Sequence, residues 1–262
     1  MRVIEQQASY ILHRRAYRET SYLLDIYSLE HGRMTIIAKG AQRGKNNAAA
    51  LLQMFQPLLL SWTGRSNLKT LTSVEAPSAA FTFISERLYC GFYLNELLLK
   101  LAPEADPNPM IFSAYADALQ GLKDKLHIES VLRAFELSLL KGIGLAPDFL
   151  YDSAQNLIQE NHLYRLEPSE GFSLIKNGAI QRDRWNSLKS HQAIFDGVTL
   201  LSLAKSRLVG MDEPIQSDIE QKKVLREAKL IMRELISFAL QGQELKSRAL
   251  FKQLLKGAEC DK

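Results

Sequence analysis

The sequence predicts an α+β protein, with a small N-terminal β-barrel followed by an α-helical bundle that carries a small irregular insertion. Short β-prone segments fill residues 1–80, whereas beyond residue 85 the apolar residues recur mostly at helical spacing. The chain has 262 residues, of which 46% are hydrophobic, so it can build a sizeable core in one large domain or in several small ones.

Residues 1–80 contain five candidate strands, each bounded by glycine or polar turns. They are Ser9–Arg14, Tyr22–Ser28, Met34–Lys39, Leu58–Trp62 and Leu68–Val74. The polar turn Leu29–Gly32 between the second and third strands is typical of a hairpin. Five short strands in this length fit an OB-fold barrel, with a short helix at Ala48–Met54. OB barrels bind nucleic acid on one sheet face and its flanking loops.

Helical spacing predicts six helices beyond the barrel, of which the last is short. They are Ser85–Ala102, Met110–Leu122, Glu129–Lys141, about His191–Leu208, Ser217–Leu240 and Ser247–Leu255. Residues 146–190 are punctuated by proline and glycine, with two β-prone pieces at Leu163–Leu166 and Phe172–Ile175. We therefore predict an OB-fold domain at 1–80, a helical domain at 81–145 and 191–262, and a small irregular insertion at 146–190.

The positive charge of the chain is concentrated in the predicted barrel. The net charge is +4, yet residues 1–80 hold ten Lys and Arg against five Asp and Glu. This surplus fits a phosphate-binding face, and it also fits simple solvation of a small β domain. The candidate DNA-binding cations are Arg14, Arg15, Arg18, Arg33, Lys39, Arg43, Lys45, Arg65 and Lys69. Candidate base-stacking aromatics, each of which fits the core better than a stacking platform, are Tyr10, Tyr17, Tyr22, Tyr27 and Phe55.

No arrangement of residues in the sequence predicts catalysis. The loop Gly40–Asn46 lacks the glycine spacing and the Ser or Thr of a phosphate-binding loop. The five histidines are scattered, there is no G-x-S-x-G motif, and Cys90 and Cys260 cannot form a four-cysteine zinc site. We therefore predict a protein that is not an enzyme and has no cofactor or metal. The absence of a signal-peptide core and of a long apolar segment predicts a cytoplasmic location without membrane contact.

Several motifs together resemble one known family. They run densely from Tyr17–Ser21 through Leu52–Leu58 to Tyr93–Leu98, and continue at Leu132–Leu137 and Leu245–Arg248. In this combination the chain resembles the bacterial recombination mediator family RecO over essentially its whole length.

The resemblance implies a nucleoid-associated mediator of recombinational repair that binds single- and double-stranded DNA and anneals complementary strands. It implies a partner, RecR, with which the protein helps to load RecA on single strands coated by the single-stranded-DNA-binding protein SSB. It also implies that the helical domain binds the acidic, apolar C-terminal tail of SSB, with Arg133 in contact, a residue that otherwise fits an exposed helix charge. Many family members carry a four-cysteine zinc site in a third module, but residues 148–185 here contain no cysteine.

Two alternatives remain open at this stage. An OB-fold RNA-binding factor would use the same sheet face but prefer RNA in competition. A helical interaction scaffold, merely capped by its β domain, would have no salt-dependent affinity for DNA.

Overall fold

The computed structural model describes residues 3–43, 48–64, 68–175, 193–205 and 218–250. The chain forms two compact units, one of Met1–Ile128 with Leu245–Lys262 and one of Glu129–Glu244. This grouping joins the first long helices to the barrel, whereas we expected a division after residue 80. The predicted three-domain division stays a prediction.

The first unit contains the predicted barrel. Its strands are β1 (Val3–Tyr17), β2 (Ser21–Ser28), β3 (Gly32–Ala38), β4 (Leu58–Thr63) and β5 (Lys69–Glu75). They close in the order β1-β2-β3-β5-β4, with β3 and β5 parallel, which is the OB-fold arrangement. All five predicted strands are present. Strand β1 begins earlier than we predicted because its residues Val3–Ser9 pair with β4.

The barrel interior is filled by alternate side chains of its strands, as a closed sheet requires. Leu24, Ile26 and Ile36 are fully buried there, packed with Ile11 and Trp62. A bulge in β1 between Ile11 and His13 shifts its pairing with β2. Such a bulge leaves one residue outside the ladder and increases the local twist.

Helices complete the first unit. The short helix α1 is Ala48–Leu51, and the long helices α2 (Ser85–Leu101) and α3 (Pro109–Lys123) follow the barrel. Helix α3 begins one residue before the predicted Met110, because Asn108 accepts the Ile111 amide at 3.1 Å and proline occupies the first helical position.

The C-terminal segment of the first unit is attached to α2 by Glu96. Its carboxylate accepts the backbone amides of Lys246 and Ser247 at 2.9 and 2.8 Å, and the Ser247 hydroxyl at 2.6 Å. Residues 246–250 are helical, so Glu96 lies at a helix N-terminus, where a negative charge is stabilised. Burial raises the pKa of Glu96, but the hydrogen bonds from Ser247 and Lys246 outweigh this and lower it.

The second unit combines helices with a small sheet. Its elements are α4 (Ile128–Gly142), β6 (Leu163–Glu167), β7 (Gly171–Leu174), β8 (Ile194–Asp196), α5 (Gly197–Ala204) and α6 (Asp218–Ala239). Helix α4 ends in a Schellman motif at Gly144, a glycine we predicted as a cap, with the Leu145 amide bonded to the Leu140 carbonyl at 2.9 Å.

Our prediction of helix from about His191 to Leu208 was wrong at its start. Residues 194–196 form β8, which pairs with β6 to make a three-stranded sheet in the order β7-β6-β8. Helix α5 begins only at Gly197, whose amide donates to the His162 carbonyl at 2.9 Å. The apolar run at Ile194–Phe195 fits strand and helix equally, and pairing with β6 decides between them.

Candidate nucleic-acid interface

The outward faces of β1, β2 and β3 form a mixed polar surface. Strand pairing sets His13, Asp25 and Thr35 side by side. The Thr35 hydroxyl donates to Asp25 Oδ1 at 2.6 Å, and His13 Nδ1 lies 3.5 Å from Asp25 Oδ2. Two residues further along β1, and so on the same face, Arg15 lies opposite the half-buried Leu23. This face therefore offers a cation and an apolar surface beside one fixed negative charge.

Four of the predicted cations lie near one end of the barrel, which we call the basic end: Arg14, Arg15, Arg18 and Lys39. The Gln42 amide donates to the Thr20 carbonyl at 2.9 Å, and its side-chain amide donates to the Ser21 carbonyl. These bonds hold the segment after β3, which carries Lys39, against the β1–β2 turn, which carries Arg18. Arg15, Arg18 and Lys39 are all exposed.

Arg14 differs from its neighbours because its guanidinium is already engaged. It donates to the carbonyls of Leu52 at 2.8 Å and Ala49 at 3.4 Å, at the C-terminal end of α1. It also lies over the Tyr22 ring, 4.9 Å from the centroid. A cation suits a helix C-terminus, so Arg14 stabilises the barrel end that carries the other cations.

Arg33 lies away from the basic end, at the start of β3. Its Nε donates to the Ala102 carbonyl at 2.8 Å, just after α2, and its own carbonyl accepts the Ala105 amide at 2.8 Å. The preceding Gly32 has φ +66°, and a Cβ there would collide with the backbone of Asp106. Arg33 thus contributes to joining the barrel to α2, and its predicted contact with DNA stays a prediction.

The remaining predicted cations are not part of the described basic end. Lys69 is half-buried and pairs with Ile36 across the parallel β3–β5 contact. Arg43 belongs by its backbone to the 3-10 turn Ala41–Arg43, but its side chain is outside the description. Lys45 and Arg65 lie outside the described residues.

Most of the candidate stacking aromatics belong to the core. Tyr10 and Tyr27 both pack on Phe112 of α3, with ring centroids 5.4 and 6.2 Å apart, and Phe55 packs on Phe83 at 5.4 Å. Burial, followed by the charge of Asp106, raises the pKa of Tyr27 to about 12.

Tyr17 is the aromatic best placed to meet a base. It is half-buried at the end of β1, and the Arg18 guanidinium lies 5.2 Å from its ring centroid. Arg18 itself has φ 52°, in the left-handed region, where the chain turns toward β2. The pair joins a cation and a ring at the basic end, the combination that single-strand binders use.

Sequence reasoning missed a buried polar link between the barrel and the helices of the first unit. Asn95, 3% exposed on α2, donates from Nδ2 to the Leu12 carbonyl at 2.8 Å and accepts the Tyr115 hydroxyl at 2.5 Å. Burial raises the pKa of Tyr115 well above its ordinary value. An asparagine within an apolar helical run was the signal available for this link.

In the second unit, Arg133 is buried rather than exposed on the surface of α4. It is 6% exposed, and one terminal nitrogen lies 2.7 Å from Glu136 Oε1. Its buried Nε has no hydrogen-bond acceptor among the residues that the structure describes. The guanidinium thus keeps donor capacity that a ligand carboxylate could use.

Two features are absent from the described ranges. Among these residues, no helix is long and apolar enough to cross a bilayer. Within the same ranges, no three His, Cys, Asp or Glu side chains are grouped so that they could hold a metal ion.

Two family models match the chain. The model described as Recombination protein O N terminal matches residues 1–79, which contain the barrel. The model described as Recombination protein O C terminal matches residues 85–194.

Curated proteins named DNA repair protein RecO are similar over most of the chain. The one from Marinobacter nauticus is 37% identical over 254 residues, which cover 95% of this chain and 94% of that protein. The one from Methylococcus capsulatus is 38% identical over 244 residues, 93% of this chain and 91% of its own length. The one from Haemophilus influenzae is 42% identical over 176 residues, 66% of this chain and 75% of that protein.

Proposed function

This chain belongs to the RecO family of DNA repair proteins, and from that membership we propose that it is a non-enzymatic mediator that binds single- and double-stranded DNA and anneals complementary strands. The observation that carries the proposal is the group of exposed cations Arg15, Arg18 and Lys39 at one end of an OB-type barrel.

The mechanism we propose needs no bond chemistry. Each Lys or Arg that reaches a phosphate releases condensed counterions, so binding is favourable, salt-dependent and largely independent of sequence. Two strands held along such a surface repel each other less, because the cations offset part of their charge. Tyr17, beside Arg18, provides a ring on which an unpaired base can stack.

A salt titration tests the nucleic-acid part of the proposal. Binding of a labelled oligothymidylate is measured by fluorescence anisotropy for wild type and for Arg15→Ala/Arg18→Ala/Lys39→Ala. If each side chain contacts one phosphate, the slope of log K against log salt becomes shallower by about 2, since each contact on a single strand contributes about 0.7.

Matched controls make the titration decisive. Lys123→Ala/Lys125→Ala/Lys141→Ala removes the same charge at exposed positions outside the barrel, and we expect it to leave the slope unchanged. An unchanged slope in the barrel variant would favour the interaction-scaffold alternative. A strong preference for an RNA competitor would favour the RNA-binding alternative.

We further propose that the helical region binds the acidic, apolar tail of SSB, and that with RecR the protein promotes RecA loading on SSB-coated strands. Arg133 is the proposed tail contact. Its Nε is a donor without an acceptor among the described residues, and it could bond to a tail carboxylate only if the side chains that bury it move aside.

A pulldown with a tail peptide tests the role of Arg133, provided that the variant keeps its fold. Arg133→Ala removes the partner of the buried Glu136 and is expected to cost about 3–5 kcal/mol of stability. Arg133→Lys keeps a cation beside Glu136 but loses the planar fork and the Nε donor. If Arg133→Lys unfolds at nearly the wild-type temperature and still retains peptide as wild type does, Arg133 is not the contact.

A further inference from the structure

The second unit contains an open groove that the proposed mediator activity does not use. It has a volume of about 460 Å³ and is lined by the segment after α4, the loop around Asp152, the turn Pro168–Phe172 and Phe238 of α6. It is distinct from the predicted SSB contact, since Arg133 is not among its lining residues.

Large apolar side chains converge on this groove although they are open to solvent. Leu145, Tyr151 and Phe238 are 38%, 40% and 46% exposed, and all three line it together with Pro147. Single exposed apolar residues are ordinary, but several around one concavity mark an interaction site. Tyr151 and Phe238 are aromatic. An aromatic side chain gives a large contact area and loses little conformational entropy on binding.

The charged side chains that line the groove are all acidic among the described residues. Among the described residues its lining includes Asp148, Asp152 and Glu170 and no Lys, Arg or His. The loop that carries the two aspartates is held in place, because Asp148 Oδ1 accepts the Leu150 amide at 2.7 Å and Asp152 Oδ1 accepts the Asn156 amide at 2.8 Å. The acidic and aromatic groups are therefore presented in a preformed arrangement.

We propose that this groove docks an arginine-bearing apolar segment of a partner protein. A guanidinium stacks on an aromatic face and pairs with a carboxylate, so it matches Tyr151 or Phe238 beside Asp148 and Glu170. An adjacent apolar side chain fills the space beside Leu145 and Pro147. Phosphates and acidic tails are repelled by the same carboxylates, so this surface serves neither nucleic acid nor an SSB tail.

The charge dependence of binding can be measured with three blocked peptides that share one leucine anchor. The probes are acetyl-Gly-Arg-Leu-Arg-Gly-amide and its analogues with lysine or glutamate in place of both arginines, titrated into isotope-labelled full-length protein. We expect shifts of the Gly144, Ser153 and Gly171 amides with the arginine peptide, weaker affinity for the lysine peptide and no shifts with the glutamate peptide. Equal shifts with the glutamate peptide would overturn the proposal.

Two variants with matched controls test the named residues. Glu170→Gln is expected to weaken the arginine peptide about threefold, as for an exposed ion pair, and Phe238→Ala about tenfold, as for a contact anchor. The controls Glu160→Gln and Leu230→Ala alter equally exposed positions outside the groove and should leave affinity unchanged. Wild-type affinity in both groove variants would refute the proposal. Groove amides that shift with protein concentration alone would also refute it, because the occupant would then be a second copy.

Discussion

Replacing Glu96 by glutamine should release the C-terminal segment from α2. In the native protein this carboxylate accepts two backbone amides and one hydroxyl from Lys246 and Ser247. Glutamine keeps one oxygen, which can serve Ser247, but it turns its NH₂ toward the Lys246 amide, so a donor faces a donor. Loss of one charge-assisted hydrogen bond and of the favourable charge at a helix N-terminus predicts a cost of about 1–2 kcal/mol, because Glu96 is half-exposed and partly screened.

Hydrogen exchange measured by mass spectrometry reports the loss of stability in this segment alone. A loss of 1–2 kcal/mol corresponds to roughly 5- to 30-fold faster exchange in a peptide covering residues 245–250. The control Glu86→Gln alters an exposed carboxylate in the first turn of the same helix and should leave that peptide unchanged. Unchanged exchange in the Glu96→Gln variant would refute the role of this carboxylate.

The same contact predicts a pH dependence of definite sign. Because the pKa of Glu96 is lowered in the folded protein, its contribution is complete above the ordinary glutamate value of about 4.3. The contribution is lost as pH falls from there through the folded value. The protection factor of residues 245–250, which is the intrinsic exchange rate divided by their observed rate at the same pH, should therefore decrease on acidification. The Glu96→Gln variant should lack this decrease.

Two further substitutions test contacts within the first unit. Tyr115→Phe removes the hydroxyl that Asn95 accepts and should cost about 1–2 kcal/mol in urea unfolding, with an unchanged slope on urea concentration; wild-type stability would contradict this. Gly32→Ala should cost about 2–4 kcal/mol, because it adds a collision with Asp106 to the strain of a positive φ. Gly40→Ala lies at a similar φ, and no atom of the described residues comes within 4 Å of a Cβ there. It isolates the strain and should cost about 1–2 kcal/mol, so equal losses in both would contradict the collision.

The barrel was predictable because its strands carry local signals that agree with one another. Period-two patterns and polar turns marked β2 through β5, and their order then follows from OB topology. Strand β8 was not predictable, since Ile194–Asp196 has no pattern of its own and is a strand only because β6 offers an edge. Residues 191 and 192, where the predicted helix was to begin, lie outside the described residues.

The sequence alone indicated which cations lie near one end of the barrel, but it did not indicate which of them are engaged in contacts with other parts of the protein. Clustering of Arg15, Arg18 and Lys39 followed from their positions at the ends of adjacent strands. The engagement of Arg14 with α1 and of Arg33 with the chain after α2 depends on tertiary contacts far away in sequence. A single sequence contains no signal for such contacts, and so these two guanidinium groups looked equivalent to their neighbours.

The bond between Asn95 and the bulged residue Leu12 has a consequence for the charge pattern of the barrel. Side chains alternate along a strand, so a slip of β1 by one residue would exchange its inner and outer sets and turn Arg15 toward the opposite face. The bulge interrupts that alternation at Leu12. The side-chain amide of Asn95 on α2 bonds to this residue and so favours this position for the bulge. An uncharged side chain buried outside the barrel thereby helps to set the direction in which Arg15 points.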